Sequence, residues 1–60
     1  MEITRDEWLK RAANRYIERV ELDEKTARDL AESCLENVDG DLSEKPEDVV
    51  DDDLACWSDD

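Results

Sequence analysis

The sequence contains no histidine and no phenylalanine, and it has one glycine and one proline among 60 residues. Without histidine, the usual acid–base group at neutral pH is missing. A chain this short buries only about 60% of its unfolded surface, so it has no room for a deep substrate cavity. A catalytic carboxyl needs burial to shift its pKa, and the carboxylates here are expected to face solvent. We therefore expect that the protein is not an enzyme and uses no cofactor.

Long apolar runs and cysteine motifs are also missing. No segment approaches the ~20 apolar residues needed to cross a bilayer, and no signal-peptide core follows Met1. We therefore expect a cytoplasmic protein. Cys34 and Cys56 are too few for a disulfide framework and lack Cys-x-x-Cys spacing. We interpret them as two small buried hydrophobic side chains, and a disulfide that pins the tail to the helices is the alternative.

Positive charge is scarce in the second half of the chain. Residues 29–60 contain thirteen carboxylates and one base, Lys45, whereas residues 1–28 contain seven acids and seven bases. The net charge of −12 therefore belongs to the second half. Such density of like charge destabilises a fold, and it repels nucleic acid and anionic membranes. The composition favours a basic protein as partner, without direct binding to nucleic acid or membrane.

The first predicted helix runs from about Arg5 to Val20. Thr4 and Glu7 form a Thr-x-x-Glu capping box, and Ile3 and Trp8 have the spacing of a hydrophobic staple. An apolar stripe follows at helical spacing and comprises Trp8, Leu9, Ala12, Ala13, Tyr16, Ile17 and Val20. On the opposite face we expect two ion pairs at i, i+4 spacing, namely Asp6–Lys10 and Glu7–Arg11.

The second predicted helix begins after Asp23, a favourable N-cap residue. Its apolar stripe comprises Ala27, Leu30, Ala31, Cys34, Leu35 and Val38. Gly40 lies just past this stripe, where a left-handed C-cap glycine is expected. The connection from Val20 to Glu24 is short, so the two helices should form an antiparallel hairpin.

A third, shorter helix is predicted after Pro46, which suits a first helical turn. Its apolar positions are Val49, Val50, Leu54 and Trp57. Because three consecutive aspartates follow Val50, a break near Asp51 is the alternative. We expect Asp59 and Asp60 to form a frayed end.

The predicted fold is all-α: one small domain over residues 1–60, in which a helical hairpin carries a short third acidic helix. Its buried aromatic area should come mainly from Trp8, Tyr16 and Trp57.

A calcium loop around Gly40 is excluded by its neighbours. Glycine is the sixth residue of the twelve-residue EF-hand loop, which would make Leu35 the first ligand and Pro46 the last. Neither can serve, so we predict no metal site and interpret Gly40 as a helix stop. Only weak, unspecific cation binding by residues 51–53 is left open.

The acidic residues form the candidate site. Carboxylates fixed on helices can imitate a nucleic-acid backbone, which carries one negative charge per ~1.7 Å of duplex axis. A basic DNA-binding groove would accept such a surface, with association weakened by salt. The alternative is a solvated face that serves solubility alone. The candidate residues are Asp29, Glu32, Glu36, Asp39, Asp41, Glu44, Glu47, Asp48, Asp51, Asp52 and Asp53.

Several segments resemble small acidic proteins of bacteriophages and mobile elements. They are Ile3-Thr4-Arg5-Asp6-Glu7, Ala13-Asn14-Arg15-Tyr16, Ala31-Glu32-Ser33-Cys34-Leu35-Glu36 and Asp52-Asp53-Leu54-Ala55-Cys56-Trp57. The chain is similar to anti-CRISPR proteins, in particular inhibitors of type I and especially type I-C systems. This resemblance implies binding to the surveillance complex (Cascade), and we expect a monomer in the bacterial host cytoplasm. The resemblance also implies contact with the large subunit that reads the PAM, and a block on target DNA binding.

Two other functions remain open at this point. One is a regulatory binding module, such as an antitoxin that masks a basic toxin. The other is a phage assembly component, in which apolar surface matters more than charge.

Overall fold

The computed structural model describes residues 3–57, and these residues form three α-helices joined by two connections. Helix α1 spans Arg5–Val20, α2 spans Glu24–Asn37 and α3 spans Pro46–Trp57. The predicted all-α fold, a helical hairpin with a third helix against it, is confirmed. The frayed end predicted at Asp59 and Asp60 lies outside the described residues.

Helix α1 has the predicted bounds because both of its ends are capped. At its start the Thr4 hydroxyl oxygen accepts a hydrogen bond from the backbone N–H of Glu7 at 3.1 Å. At its end Glu21 adopts a left-handed conformation with φ 54° and ψ 46°. The Glu21 N–H donates to the carbonyl of Ile17 at 3.0 Å, which completes the last turn. These bonds satisfy backbone groups that a helix end would otherwise leave unpaired.

Helix α2 begins after Asp23 and ends in a Schellman motif. The Asp39 N–H donates to the Glu36 carbonyl at 3.0 Å, and the Gly40 N–H donates to the Leu35 carbonyl at 2.8 Å. Gly40 is left-handed as predicted, with φ +72°, but Asp39 precedes it with φ +57°. The left-handed stretch therefore starts one residue earlier than expected, at an aspartate that tolerates this conformation better than most residues.

Helix α3 runs without interruption from Pro46 to Trp57, so the alternative of a break near Asp51 is wrong. The fixed φ of proline and two acids in the first turn favour its start. Val50 and Leu54 are buried one turn apart, and they anchor the helix to the core. This tertiary packing outweighs the poor helix propensity of three consecutive aspartates.

The core is built from all three helices. Its buried side chains are Trp8, Leu9, Ala12, Ala13, Tyr16, Ala27, Ala31, Cys34, Leu35, Val50 and Leu54. The Trp8 indole N–H donates to the Glu44 carbonyl at 2.8 Å, which ties the connection before α3 to α1. The prediction that Trp57 is buried is wrong. Trp57 is 47% exposed and stacks on Tyr16 with ring centroids 5.8 Å apart, since it lies past the last core position of α3.

The contacts between helices define their directions. Three residues of α1, Trp8, Arg11 and Arg15, each form hydrogen bonds with a residue 36 positions further along the chain. Because residue numbers rise together on both sides, α3 runs parallel to α1.

Side-chain contacts join α1 and α2 in the hairpin. Arg28 reaches Asp6 at 3.6 Å, and the Tyr16 hydroxyl lies 2.9 Å from the Cys34 sulfur. Buried alanines on both helices allow close approach.

The left-handed conformation of Glu21 generates a prediction. A non-glycine residue in this region is strained by roughly 1–2 kcal/mol. We expect Glu21→Gly to raise the free energy of unfolding by about 0.5–1 kcal/mol, after the entropic penalty of glycine. Urea unfolding followed by circular dichroism measures this change. The control is Glu21→Gln, which removes the charge but keeps the strain, and equal stability of the two variants would contradict the prediction.

Candidate partner-binding surface

The eleven predicted acidic residues occupy three parts of the structure. Helix α2 carries Asp29, Glu32 and Glu36. The connection between α2 and α3 carries Asp39, Asp41 and Glu44. Helix α3 carries Glu47, Asp48, Asp51, Asp52 and Asp53.

The acids of α2 form an exposed row. Asp29, Glu32 and Glu36 are all exposed, and they follow one another by three and four residues. Because this spacing keeps side chains on one helix face, the row extends for about 10 Å along the axis. The row lies away from the buried positions of α2, so its carboxylates point to solvent.

Two acids of α3 are instead paired with arginines of α1. Arg11 binds Glu47 through two hydrogen bonds of 3.0 and 3.1 Å. Arg15 binds Asp51 through two hydrogen bonds of 3.1 and 2.8 Å. Such bidentate pairs fix orientation as well as distance. They hold α3 against α1 with one carboxylate in each of two successive turns.

The pKa values of these two carboxyls reflect the pairing. The hydrogen bond from Arg15 holds the pKa of Asp51 below its usual range. Partial burial raises the pKa of Glu47, but its own backbone N–H and the hydrogen bond from Arg11 outweigh burial and lower it. Both groups are therefore ionised in the folded protein at neutral pH.

A third acid of α3 is bound by a buried tyrosine. The Tyr16 hydroxyl donates to Asp53 at 2.7 Å and also lies 2.9 Å from the Cys34 sulfur. Burial and these two neighbours raise the pKa of Tyr16, so its hydroxyl stays protonated and acts as a donor. Burial likewise raises the pKa of the Cys34 thiol, which keeps it in its unreactive form.

The two cysteines differ in burial, and the prediction holds for one of them. Cys34 is buried, as expected, but Cys56 is exposed because it lies on the outer side of α3. Both thiols are free, so the alternative of a disulfide between them is not formed.

The connection uses one of its acids as a turn former. The Asp41 side chain accepts hydrogen bonds from the backbone N–H of Ser43 at 3.0 Å and from its hydroxyl at 2.6 Å. These bonds lower the pKa of Asp41. The side chains of Asp39 and Glu44 stay exposed.

Apart from Asp41, which is hydrogen-bonded to Ser43, seven of the predicted carboxylates are exposed and form no ion pair with any residue in 3–57. We call them the open acidic set: Asp29, Glu32, Glu36, Asp39, Glu44, Asp48 and Asp52. The other four predicted residues are held within the chain, by Arg11, Arg15, Tyr16 and Ser43. The structure thus divides the predicted surface into carboxylates that face outward and carboxylates that attach α3 or shape its approach.

The predicted ion pairs on α1 are wrong. Arg11 pairs with Glu47 instead of Glu7, and the carboxylate of Asp6 lies nearest Arg28. Arginines prefer the carboxylates of α3 because these approach in a fixed, bidentate geometry. The spacing of four shared by Arg11 and Arg15 and by Glu47 and Asp51 is the sequence signal that matches these contacts.

Metal binding and membrane crossing can both be checked for the described residues. Within 3–57, no group of three or more Cys, Asp or Glu residues lies close enough to hold a metal ion. In the same range no helix has both the length and the apolar character that crossing a bilayer requires.

Comparison with protein-family models, with curated proteins and with solved structures gave no significant match for this chain. The functional argument therefore rests on the chain's own residues.

The pairing of Arg15 with Asp51 generates a second prediction. Because the pKa of Asp51 is lowered in the folded state, the pair stabilises the protein above the ordinary carboxyl pKa of about 3.9. That contribution is lost as the pH falls through the lowered value. We expect Arg15→Gln to reduce the melting temperature near neutral pH, with a difference from wild type that shrinks below about pH 4.

Thermal unfolding at several pH values measures this difference. The control is Lys10→Gln, which removes one charge from α1 at a position with no ion pair to residues 3–57. If the difference in melting temperature between wild type and Arg15→Gln stays constant as the pH falls below about 4, the pairing of Arg15 with Asp51 is contradicted.

Proposed function

We propose that this chain is an anti-CRISPR inhibitor that binds the basic DNA-binding surface of a type I surveillance complex, Cascade. Its contact is the large subunit that reads the PAM, and its effect is to prevent target DNA from docking. It acts by binding and not by catalysis. The observation that supports the proposal is the open acidic set, which places seven exposed carboxylates on two helices and the connection between them.

The fixed position of these carboxylates favours recognition over mere solubility. A solubilising face needs charge but no defined arrangement. Here Glu32 and Glu36 lie one turn apart on α2, and Asp48 and Asp52 lie one turn apart on α3. Each such pair places two charges about 6 Å apart along a helix axis. A basic groove that tracks phosphates would meet a comparable density of negative charge.

The internal pairs strengthen this argument. Arg11 and Arg15 contact carboxylates of α3, so these two cations are unavailable to neutralise the open acidic set. The field outside α2 and α3 therefore stays negative, because the seven carboxylates of the open acidic set outnumber the three exposed cations of the same region, Lys25, Arg28 and Lys45. Such a field steers association with a basic surface and weakens as salt screens it.

The choice of target combines this field with the resemblance of the sequence to type I-C inhibitors. CRISPR effectors hold nucleic acid in positively charged channels and read the PAM with basic side chains. An acidic protein of this size can occupy such a channel without base-specific contacts. The proposed competition with duplex DNA follows from that charge complementarity.

A gel-shift competition tests the proposal. Purified type I-C surveillance complex is incubated with the protein before target duplex is added, at low and at high salt. We expect DNA binding to be lost at low salt and recovered at high salt. If DNA still binds at both salts, competition for this complex is wrong.

Charge-neutral variants locate the surface in the same assay. The test variant combines Asp29→Asn, Glu32→Gln and Glu36→Gln, which removes the row on α2. We expect it to compete at least about tenfold less well than wild type, a difference of about 1.4 kcal/mol.

The matched control combines Glu18→Gln, Glu21→Gln and Glu24→Gln. These three exposed acids belong to residues 1–28, in which acids and bases are equal in number. The control changes the net charge by the same amount but leaves the open acidic set intact. Equal weakening by both triple variants would show that only net charge matters and would contradict a defined surface. Circular dichroism confirms that each variant keeps its helices.

A further inference from the structure

The parallel packing of α3 on α1 forms a ladder whose third position has a base but no acid. The first two rungs are the arginine–carboxylate pairs, each between residues 36 positions apart. Arg19 follows Arg15 by four residues and shares its helix face. The residue 36 positions beyond Arg19 is Ala55, which has no charge to offer. Arg19 is exposed, and its charge helps to lower the pKa of Asp51 at longer range, but it makes no ion pair with a carboxylate in 3–57.

An apolar groove lies beside this third position. Arg19 and Val20 of α1, with Leu54 and Trp57 of α3, line an open groove of about 260 Å³. Val20 is 36% exposed and Trp57 is 47% exposed, and they are the large hydrophobic side chains exposed within 3–57. Both face the same groove, so the exposed apolar surface is concentrated next to one cation.

The lining indicates the chemistry of an occupant. Tryptophan and arginine are enriched among the residues that contribute most to protein–protein binding. A guanidinium at the edge of an apolar groove pairs best with a carboxylate, which it can bind through two hydrogen bonds. Nucleic acid also carries anions, but the open acidic set repels it. The groove therefore fits a protein segment that presents an apolar side chain next to a carboxylate.

We propose that this groove is a second contact with the same partner that the open acidic set binds, and this inference rests on the proposed function. An apolar side chain of the partner sits between Val20 and Trp57, and a neighbouring carboxylate of the partner pairs with Arg19 as the third rung. The acidic contact is sensitive to salt, whereas the apolar contact persists at high salt. The groove thereby distinguishes one basic protein from others, which charge alone does not do.

Binding of the protein to immobilised type I-C surveillance complex tests the inference, with wild type, Arg19→Glu and Lys10→Glu compared at low and high salt. Each substitution makes the chain more acidic by two charges. A purely acidic ligand would therefore bind a basic surface more tightly after either change. We expect Arg19→Glu to weaken binding about tenfold, and Lys10→Glu to bind at least as well as wild type.

A second variant reaches the same contact without changing Arg19. Ala55→Glu places a carboxylate one turn after Asp51, opposite Arg19, and supplies the third rung from within the chain. We expect it to keep the fold and weaken binding to the complex about tenfold, because Arg19 is then engaged internally. Ala55→Gln is the control for side-chain size and should bind more tightly than Ala55→Glu.

The outcomes separate this inference from the proposed function. If wild type binds and both Arg19→Glu and Ala55→Glu bind as well as their controls, the groove is not a contact, while the acidic surface stands. If wild type binds at neither salt, both proposals are overturned. If sedimentation shows self-association that Arg19→Glu abolishes, the groove belongs to a second copy of the chain, and the inference is overturned.

Discussion

The docking of α3 against α1 is the interaction on which the rest of the structure depends. Helix α3 buries only Pro46, Val50 and Leu54, and its five carboxylates repel one another. Arg11, Arg15 and Tyr16 offset this repulsion, because they bind three of these carboxylates. The docked helix then closes the core with Val50 and Leu54. A helix that would be unstable alone is thereby held by directional contacts on one side.

The same attachments sort the charges of the molecule. If the bases of residues 1–28 paired with the exposed carboxylates of residues 29–60, the negative field at the surface would be weaker. Instead Arg11 and Arg15 turn inward to α3, and the outward positions of α2 and α3 keep carboxylates without ion pairs to described residues. The same contacts therefore stabilise the fold and leave the open acidic set exposed. The molecule tolerates the remaining repulsion because it is spread along two helices and a connection.

Local signals in the sequence were sufficient to predict the helices but not the contacts between them. The Thr4 cap and the apolar stripe defined α1 correctly, because helix ends and amphipathic faces depend on residues within one or two turns. The predicted pairing of Arg11 with Glu7 was wrong, because its contact with Glu47 depends on how α3 packs against α1. Trp57 was also misplaced, because spacing identifies a helix face but not where the core beneath it ends.

The two tryptophans lie in contrasting surroundings. Trp8 is fully buried and its indole N–H is bonded to the Glu44 carbonyl, whereas Trp57 is 47% exposed at the rim of the groove. Their fluorescence therefore differs in emission wavelength and in access to a soluble quencher. Trp8 reports on the integrity of the interior, and Trp57 reports on whatever covers the groove. One unlabelled sample thus contains two separate optical probes, one for unfolding and one for occupancy.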